Sequence, residues 1–422
     1  MNCFSTFTRH VRGWTPALAL LWLAACGVSD SADNGENVEY NVHYVLRPEP
    51  SASSVVVEMR VDQPRALLRE ISFPANEHIA LLGGDGELLT FDERVHWQLP
   101  AAGGTLRWRA LVRSERGDNA FDALLGANWG VYRMEDVIPR ARARTLKGAT
   151  SRTTMTFDLP AEWSVITEYS AVEDRIVVDR IERRFDQPTG WIAMGDLGVR
   201  RESIAGVRVV VAAPTGHGAR RMDMLALLNW TLPELVAILP DALPRLTIVS
   251  ADSPMWRGGL SGPASFYLHA DRPLISENAT SALLHEVMHT ALGVRPRRGF
   301  DWIAEGLAEY YSIELLRRGN AITTERATIA MNKQAEWSSR ADGLCGDTST
   351  AATTALAVTL FAALNRELTA ASNGEATLDN VLPLIAGREV DIDVLAQAAE
   401  QLAGTTLDVL HSDNIPGCRT IP

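Results

Sequence analysis

The sequence predicts an α+β chain of several domains, β-rich at its start and helical at its end. Three observations predict it. From about residue 38 to 199 the hydrophobic pattern is mostly period two, in "VEYNVHYVL", "SSVVVEMRV", "TLRWRALV", "TTMTFDL" and "RIVVDRI", with turn clusters such as "LGGDGE" between them. Near residue 205 the chain changes class, and the strand patterns "VRVVVAAP" and "RLTIVSA" flank the helically spaced "RMDMLALLNWTLPELVAIL". Beyond residue 320 the sequence is rich in Ala and Leu at helical spacing, broken by turns at "SNGE" and "AGRE". The expected layout is a β-rich domain at 38–204, β-sandwich-like or an open sheet, a mixed domain at 205–320 and a helical domain at 321–422.

The first residues stand outside that fold. Arg9, His10 and Arg12 make a basic start, and the apolar run "PALALLWLAA" that follows is too short to span a bilayer. Residues 1–25 therefore read as an export signal. It ends in "LAAC", which resembles the lipobox of bacterial lipoproteins, where the cysteine, here Cys26, becomes the lipidated first residue. The alternative is a plain signal peptide cut nearby. Gly27 in place of an aspartate favours, by the same resemblance, an outer-membrane anchor facing the periplasm. Residues 26–37 are polar and read as a flexible tether.

The formal net charge is −12, which argues against a nucleic-acid partner and suits an exported body. Of four cysteines, Cys3 leaves with the signal and Cys26 takes the lipid. Cys345 and Cys418 remain, either as one disulfide, worth roughly 4 kcal/mol on the chain-entropy argument, or as two buried thiols.

The chemistry concentrates in "SALLHEVMHTALG". A spacing of four puts His285 and His289 on one helix face, where both imidazoles reach one metal ion. Glu286 lies about 100° round the helix, placed to take a proton from water at the metal without ligating it. Sixteen residues after His289, "WIAEGLAEYY" offers Glu305 as a third ligand, completing a two-His, one-Glu set for a single Zn2+. Gly306 would let the two helices approach closely, and Glu309, one turn on, would receive the free ring N–H of His285. Ser276 is the expected N-cap of the first helix and Gly293 its stop; Asp301 caps the second and Gly319 ends it. The competing reading is an ordinary helix whose histidines carry no metal.

With these residues the chain resembles the gluzincin metallopeptidases, and most closely the glycyl-aminopeptidase family. That family has an H-E-x-x-H helix, a basic loop and a W-x-x-E-G helix ending in paired tyrosines. The matching stretches here are "HEVMH", "GVRPRRGFD" and "WIAEGLAEYY". "FDQPTGWIAMGDL", "ATLDNVLPLIAG" and "DIDVLAQAAEQLAGTTLDVLHSDNIPG" are similar to further segments of that family. The resemblance implies a thermolysin-like catalytic domain at 205–320, between the β-rich and helical domains. Together with the export signal and the position of Glu286, it points to a zinc-dependent peptidase acting on a peptide or protein in the bacterial envelope, with Glu286 as general base.

Two departures bear on activity. The family carries a G-G-L-E-H-type segment whose glutamate holds a substrate amine; here the stretch is "RGGLSGPASFYLH", with Ser261 at that place. Gly258, Gly259 and the strand near Ser265 could still pair with a substrate backbone, or form a simple loop. Relatives also use a tyrosine on a later helix to stabilise the oxyanion, whereas the last tyrosine here is Tyr311. Tyr267 and His269 are the nearby substitutes. Tyr310, Tyr311 and Trp302 read as helix packing, and Arg295, Arg297 and Arg298 as a solvated loop or a grip on a substrate carboxylate. A catalytically weak relative that retains its metal and only binds a peptide or envelope protein is the alternative to the enzyme.

Overall fold

Alternation dictates the first layer. Along Glu39–Glu49 every second residue, Tyr40, Val42, Tyr44 and Leu46, turns into the core, and Val55, Val57, Met59 and Val61 do the same on Ser54–Asp62. The computed structural model describes residues 38–117, 119–172, 175–178, 184–411 and 414–418; the expected signal, the tether and Cys26 lie outside them. Glu39–Glu49 is central in a seven-stranded sheet, antiparallel to Ser54–Asp62 and parallel to Thr150–Phe157. A four-stranded sheet containing Leu68–Pro74 and a five-stranded sheet containing Trp129–Arg133 and Trp191–Gly195 complete the β-rich part. One apolar core joins all three sheets, through residues such as Tyr44, Trp97 and Ile192.

The sheet that carries the site has five strands, in the order Leu197–Ile204, Val207–Pro214, Arg245–Ala251, Ser265–His269, Gly259–Gly262. The first and last pairs are antiparallel and the inner two pairs parallel. Leu197–Ile204 pairs along its whole length with Val207–Pro214 through the two-residue turn Ala205–Gly206, both at positive φ. The boundary expected at 204/205 thus falls on a hairpin turn and divides one sheet. The correction is that this sheet begins at Leu197. A third cluster, with Trp191, Ala193, Val249, Ala251 and Tyr267, packs this sheet against the five-stranded sheet of the β-rich part.

Helices cover the other face. Arg221–Ile238, Ala282–Leu292 and Asp301–Arg318 share one apolar core with the later helices Thr324–Ser338, Ala351–Ala371, Leu378–Ile385 and Ile392–Ala403. The core therefore runs through residue 320 without a break. A disulfide joins Cys345 to Cys418, with Cα atoms 4.9 Å apart. Among the described residues, no helix is long and apolar enough to cross a membrane.

Candidate metal centre

The helix Ala282–Leu292 starts where Ser281 accepts a hydrogen bond from the Leu284 N–H, 3.2 Å away, and stops at Gly293 with φ 57°. Ser276, the expected cap, instead holds the preceding turn, accepting from the Thr280 N–H. Removing the true cap has a defined cost. Ser281→Ala is expected to lower unfolding stability by about 1 kcal/mol, while Ser276→Ala leaves the helix start intact; chemical denaturation measures both. Asp301 is likewise not a cap of the second helix. It is the first helical residue, and its carboxylate accepts the Ser349 N–H at 2.9 Å.

Leu283, Leu284, Val287, Met288, Ala291 and Leu292 bury one side of this helix, which turns His285 and His289 the other way, toward a cleft of about 690 Å³. The two rings meet edge to face with centroids 4.7 Å apart. From the helix Asp301–Arg318, Glu305 reaches both: one oxygen lies 3.3 Å from His285 Nε2, the other 3.3 Å from His289 Nε2. The two Nε2 atoms are 3.0 Å apart. Bonds of about 2.0–2.2 Å at tetrahedral angles place donor atoms about 3.3 Å from one another, so this triangle fits a zinc ion. Among the described residues this is the one group of three or more metal-type side chains found this close, with all donor atoms within 4.8 Å.

Electrostatics favours a cation at that point. Burial opposes charge on His285, but hydrogen bonds to Glu305 and Glu309 push its pKa up to about 10. Burial also opposes ionisation of Glu305, yet the two imidazoles hold its carboxyl well below the usual carboxylate range. His285 Nδ1–H donates to Glu309 at 3.1 Å, which leaves Nε2 to face the centre. Glu309 in turn accepts from Gln334 Nε2 at 3.2 Å. Sequence reasoning missed Gln334, although its spacing from the buried Ala327 and Ala330 on Thr324–Ser338 signals an inward face.

Glu286 is buried beside this triangle, and burial raises its pKa against the pull of His285 and His289. A Cβ on Gly259 would come within 2.5 Å of Glu286 Oε1, so only glycine leaves the carboxylate its place. Gly258, Gly259 and Ser261 all line the cleft, and Gly259–Gly262 is the outer strand of its sheet. Ser261 shares the face of Gly259 by the two-residue repeat of a strand.

Three expectations need correction. Tyr267 does not line the cleft: it is fully buried against Trp191, and its hydroxyl donates to the carbonyls of Ala251 and Trp256 at 3.2 and 3.1 Å. His269 is also buried outside the cleft lining, its Nδ1 accepting from the Asp271 N–H. Gly306 does not bring the two site helices together; a Cβ there would strike Ala357 and Phe361 of the helix Ala351–Ala371. Arg297 and Arg298 are not among the cleft-lining residues; they pair with Glu389, Asp391 and Asp347 and tie this loop to later segments. Trp302 packs on Phe361, and the Tyr311 hydroxyl donates to Asp379 at 2.8 Å.

No protein-family model matches the sequence, and no curated protein matches it. Solved structures do. An aminopeptidase N family protein from Idiomarina loihiensis superposes with a TM-score of 0.62 at 14% identity, over 90% of this chain and 74% of that one. A mutant M1 zinc metallopeptidase from Deinococcus radiodurans superposes at 0.61 and 14% identity, over 91% of this chain and 94% of the other. The chain shares their fold.

Proposed function

We propose that this chain is a zinc-dependent peptidase of the bacterial envelope, held to the membrane by a lipid on Cys26. The observation that carries this reading is the convergence of His285, His289 and Glu305 beside a buried, unligating Glu286. When bound, a zinc ion supplies Lewis acidity, polarising a carbonyl oxygen and making water acidic near neutral pH. Glu286 takes a proton from the attacking water and returns it to the leaving amine. Glu309, steadied by Gln334, keeps the His285 tautomer with Nε2 free for the metal. The outer strand Gly259–Gly262 offers backbone groups to an extended peptide, which the groove holds as an added strand.

The purified mature protein is expected to bind one zinc per chain, cleave members of a mixed peptide library, lose cleavage on chelation and regain it with zinc. Stoichiometric zinc with no cleavage of any peptide overturns the enzyme. One observation favours a second reading, a peptide binder that cuts slowly or not at all. No tyrosine lines the cleft among the described residues, and the Tyr267 hydroxyl is spent on two carbonyls. Losing one oxyanion donor costs about 100- to 1,000-fold in turnover. For the anchor, Cys26→Ala is the test, since unchanged membrane fractionation rules it out.

A further inference from the structure

At one end of the antiparallel pair Gly259–Gly262 and Ser265–His269, three arginines line the cleft. Arg257 precedes the outer strand, and Arg272 follows the inner one. The two ends are held together, because the His269 N–H donates to the Gly258 carbonyl at 3.0 Å and the Arg272 N–H to the His269 carbonyl at 3.1 Å. Arg116 arrives from the β-rich part and lies over the Trp256 ring, 3.8 Å from its centroid. Trp256 itself presses so closely on Gly258 that a Cβ there would enter the indole ring. The wall is thus a stack of guanidinium, indole and bare backbone.

Two of these three charges lack a direct partner. Arg116 has Asp122 at 3.3 Å, whereas Arg257 and Arg272 have no ion pair or side-chain hydrogen bond among the described residues. Asp252 and Asp271 lie near His269 on the same side, Asp252 with His217 at 2.7 Å, and neither forms an ion pair with Arg257 or Arg272 among the described residues. The cleft also holds four carboxylates, Glu286, Glu305, Glu309 and Asp301, gathered around the metal triangle and the Ser349 N–H, and none of them forms an ion pair with the three arginines among the described residues. The cleft presents unpaired guanidiniums in a chain whose formal net charge is −12. Ser261 adds no negative charge to this face.

We infer that Arg257 and Arg272, with Arg116, select peptides that carry a carboxylate on the side of the cleft next to Trp256. Arginine presents a planar fork that matches a carboxylate, and a concave wall focuses its field. The inference rests on the peptide-binding cleft proposed above and deepens it from peptides in general to acidic peptides. The carboxylate comes either from an Asp or Glu side chain or from a free chain terminus.

The test uses matched quenched-fluorescence peptides, acetylated and amidated, differing only in Glu, Gln or Lys at the positions flanking a common centre. A fourth peptide has Gln there and a free C-terminal carboxylate. The wild-type protein is expected to cleave the Glu peptide with a kcat/KM about tenfold above the Lys peptide at low salt, a ratio that shrinks as salt is added. The double variant Arg257→Gln/Arg272→Gln, and Arg272→Gln alone should the double not fold, is expected to bring the ratio toward one with zinc content unchanged. In parallel, anisotropy with zinc-loaded Glu286→Gln measures binding without turnover. A charge preference in binding with no cleavage sinks the peptidase and leaves this inference standing. Equal handling of Glu and Lys peptides in both assays, a preference that survives both variants, or binding of no peptide, overturns it. A preference confined to the fourth peptide assigns the carboxylate to the chain terminus.

Discussion

Glu286→Gln is expected to reduce turnover by about 100- to 10,000-fold while zinc content stays at the wild-type level. The substitution keeps the shape but removes the negative charge and with it the ability to accept a proton. Shape matters because the side chain is buried against Gly259, where a Cβ would stand 2.5 Å from its oxygen. Glu286 also lies outside the triangle of donor atoms formed by His285, His289 and Glu305, so its charge is not needed to hold the metal. Steady-state kinetics on a cleaved peptide, with metal analysis of the same sample, separates the two effects. A variant that turns over at the wild-type rate leaves Glu286 without a role in proton transfer. One that loses zinc makes it a ligand instead.

What could be read from the chain was local and periodic. The four-residue spacing of His285 and His289 fixes a shared helix face, and the structure brings Glu305 to that face and Glu309 to His285 Nδ1. Alternation along Glu39–Glu49 and Ser54–Asp62 was equally legible, because period two in a strand needs no knowledge of partners. The errors share a different cause. Ala205–Gly206 looks like a boundary from either side, and only pairing of Leu197–Ile204 with Val207–Pro214 reveals it as a turn inside one sheet. Gly306 announces a close approach without saying to what, and the answer lies some fifty residues later, at Ala357 and Phe361. Ser276 and Ser281 are both competent caps, and backbone geometry alone decides between them. Tyr267 sits on a strand buried on both faces, so nothing in its immediate sequence marks the hydroxyl as spent. The wall of Arg116, Trp256, Arg257 and Arg272 was hidden because only pairing of Gly259–Gly262 with Ser265–His269 brings Arg257 and Arg272 to one end, and Arg116 joins them from a distant part of the chain.

Glu305→Gln is expected to abolish tight zinc binding, and with it all hydrolysis. Each oxygen of Glu305 serves one histidine, at 3.3 Å from His285 Nε2 and 3.3 Å from His289 Nε2, so the carboxylate closes the triangle on both sides. An amide of the same shape carries no negative charge and turns an NH2 group toward one of the imidazoles. It leaves two neutral donors where zinc sites use three. Changing a residue that merely supports a ligand costs about 10- to 100-fold in metal affinity, and the loss of a ligand itself is expected to exceed that. Glu309→Gln provides the internal comparison: it weakens the hold on His285 Nδ1 and keeps the triangle whole, so its loss falls in the smaller range. Thermal unfolding gives a readout independent of any substrate. Zinc at about a thousand times its dissociation constant adds about 4 kcal/mol to the stability of the native chain, so the wild type melts well above its chelated form. In Glu305→Gln the two melts coincide. A variant that keeps the zinc-dependent shift of the wild type places the metal somewhere other than between these two helices.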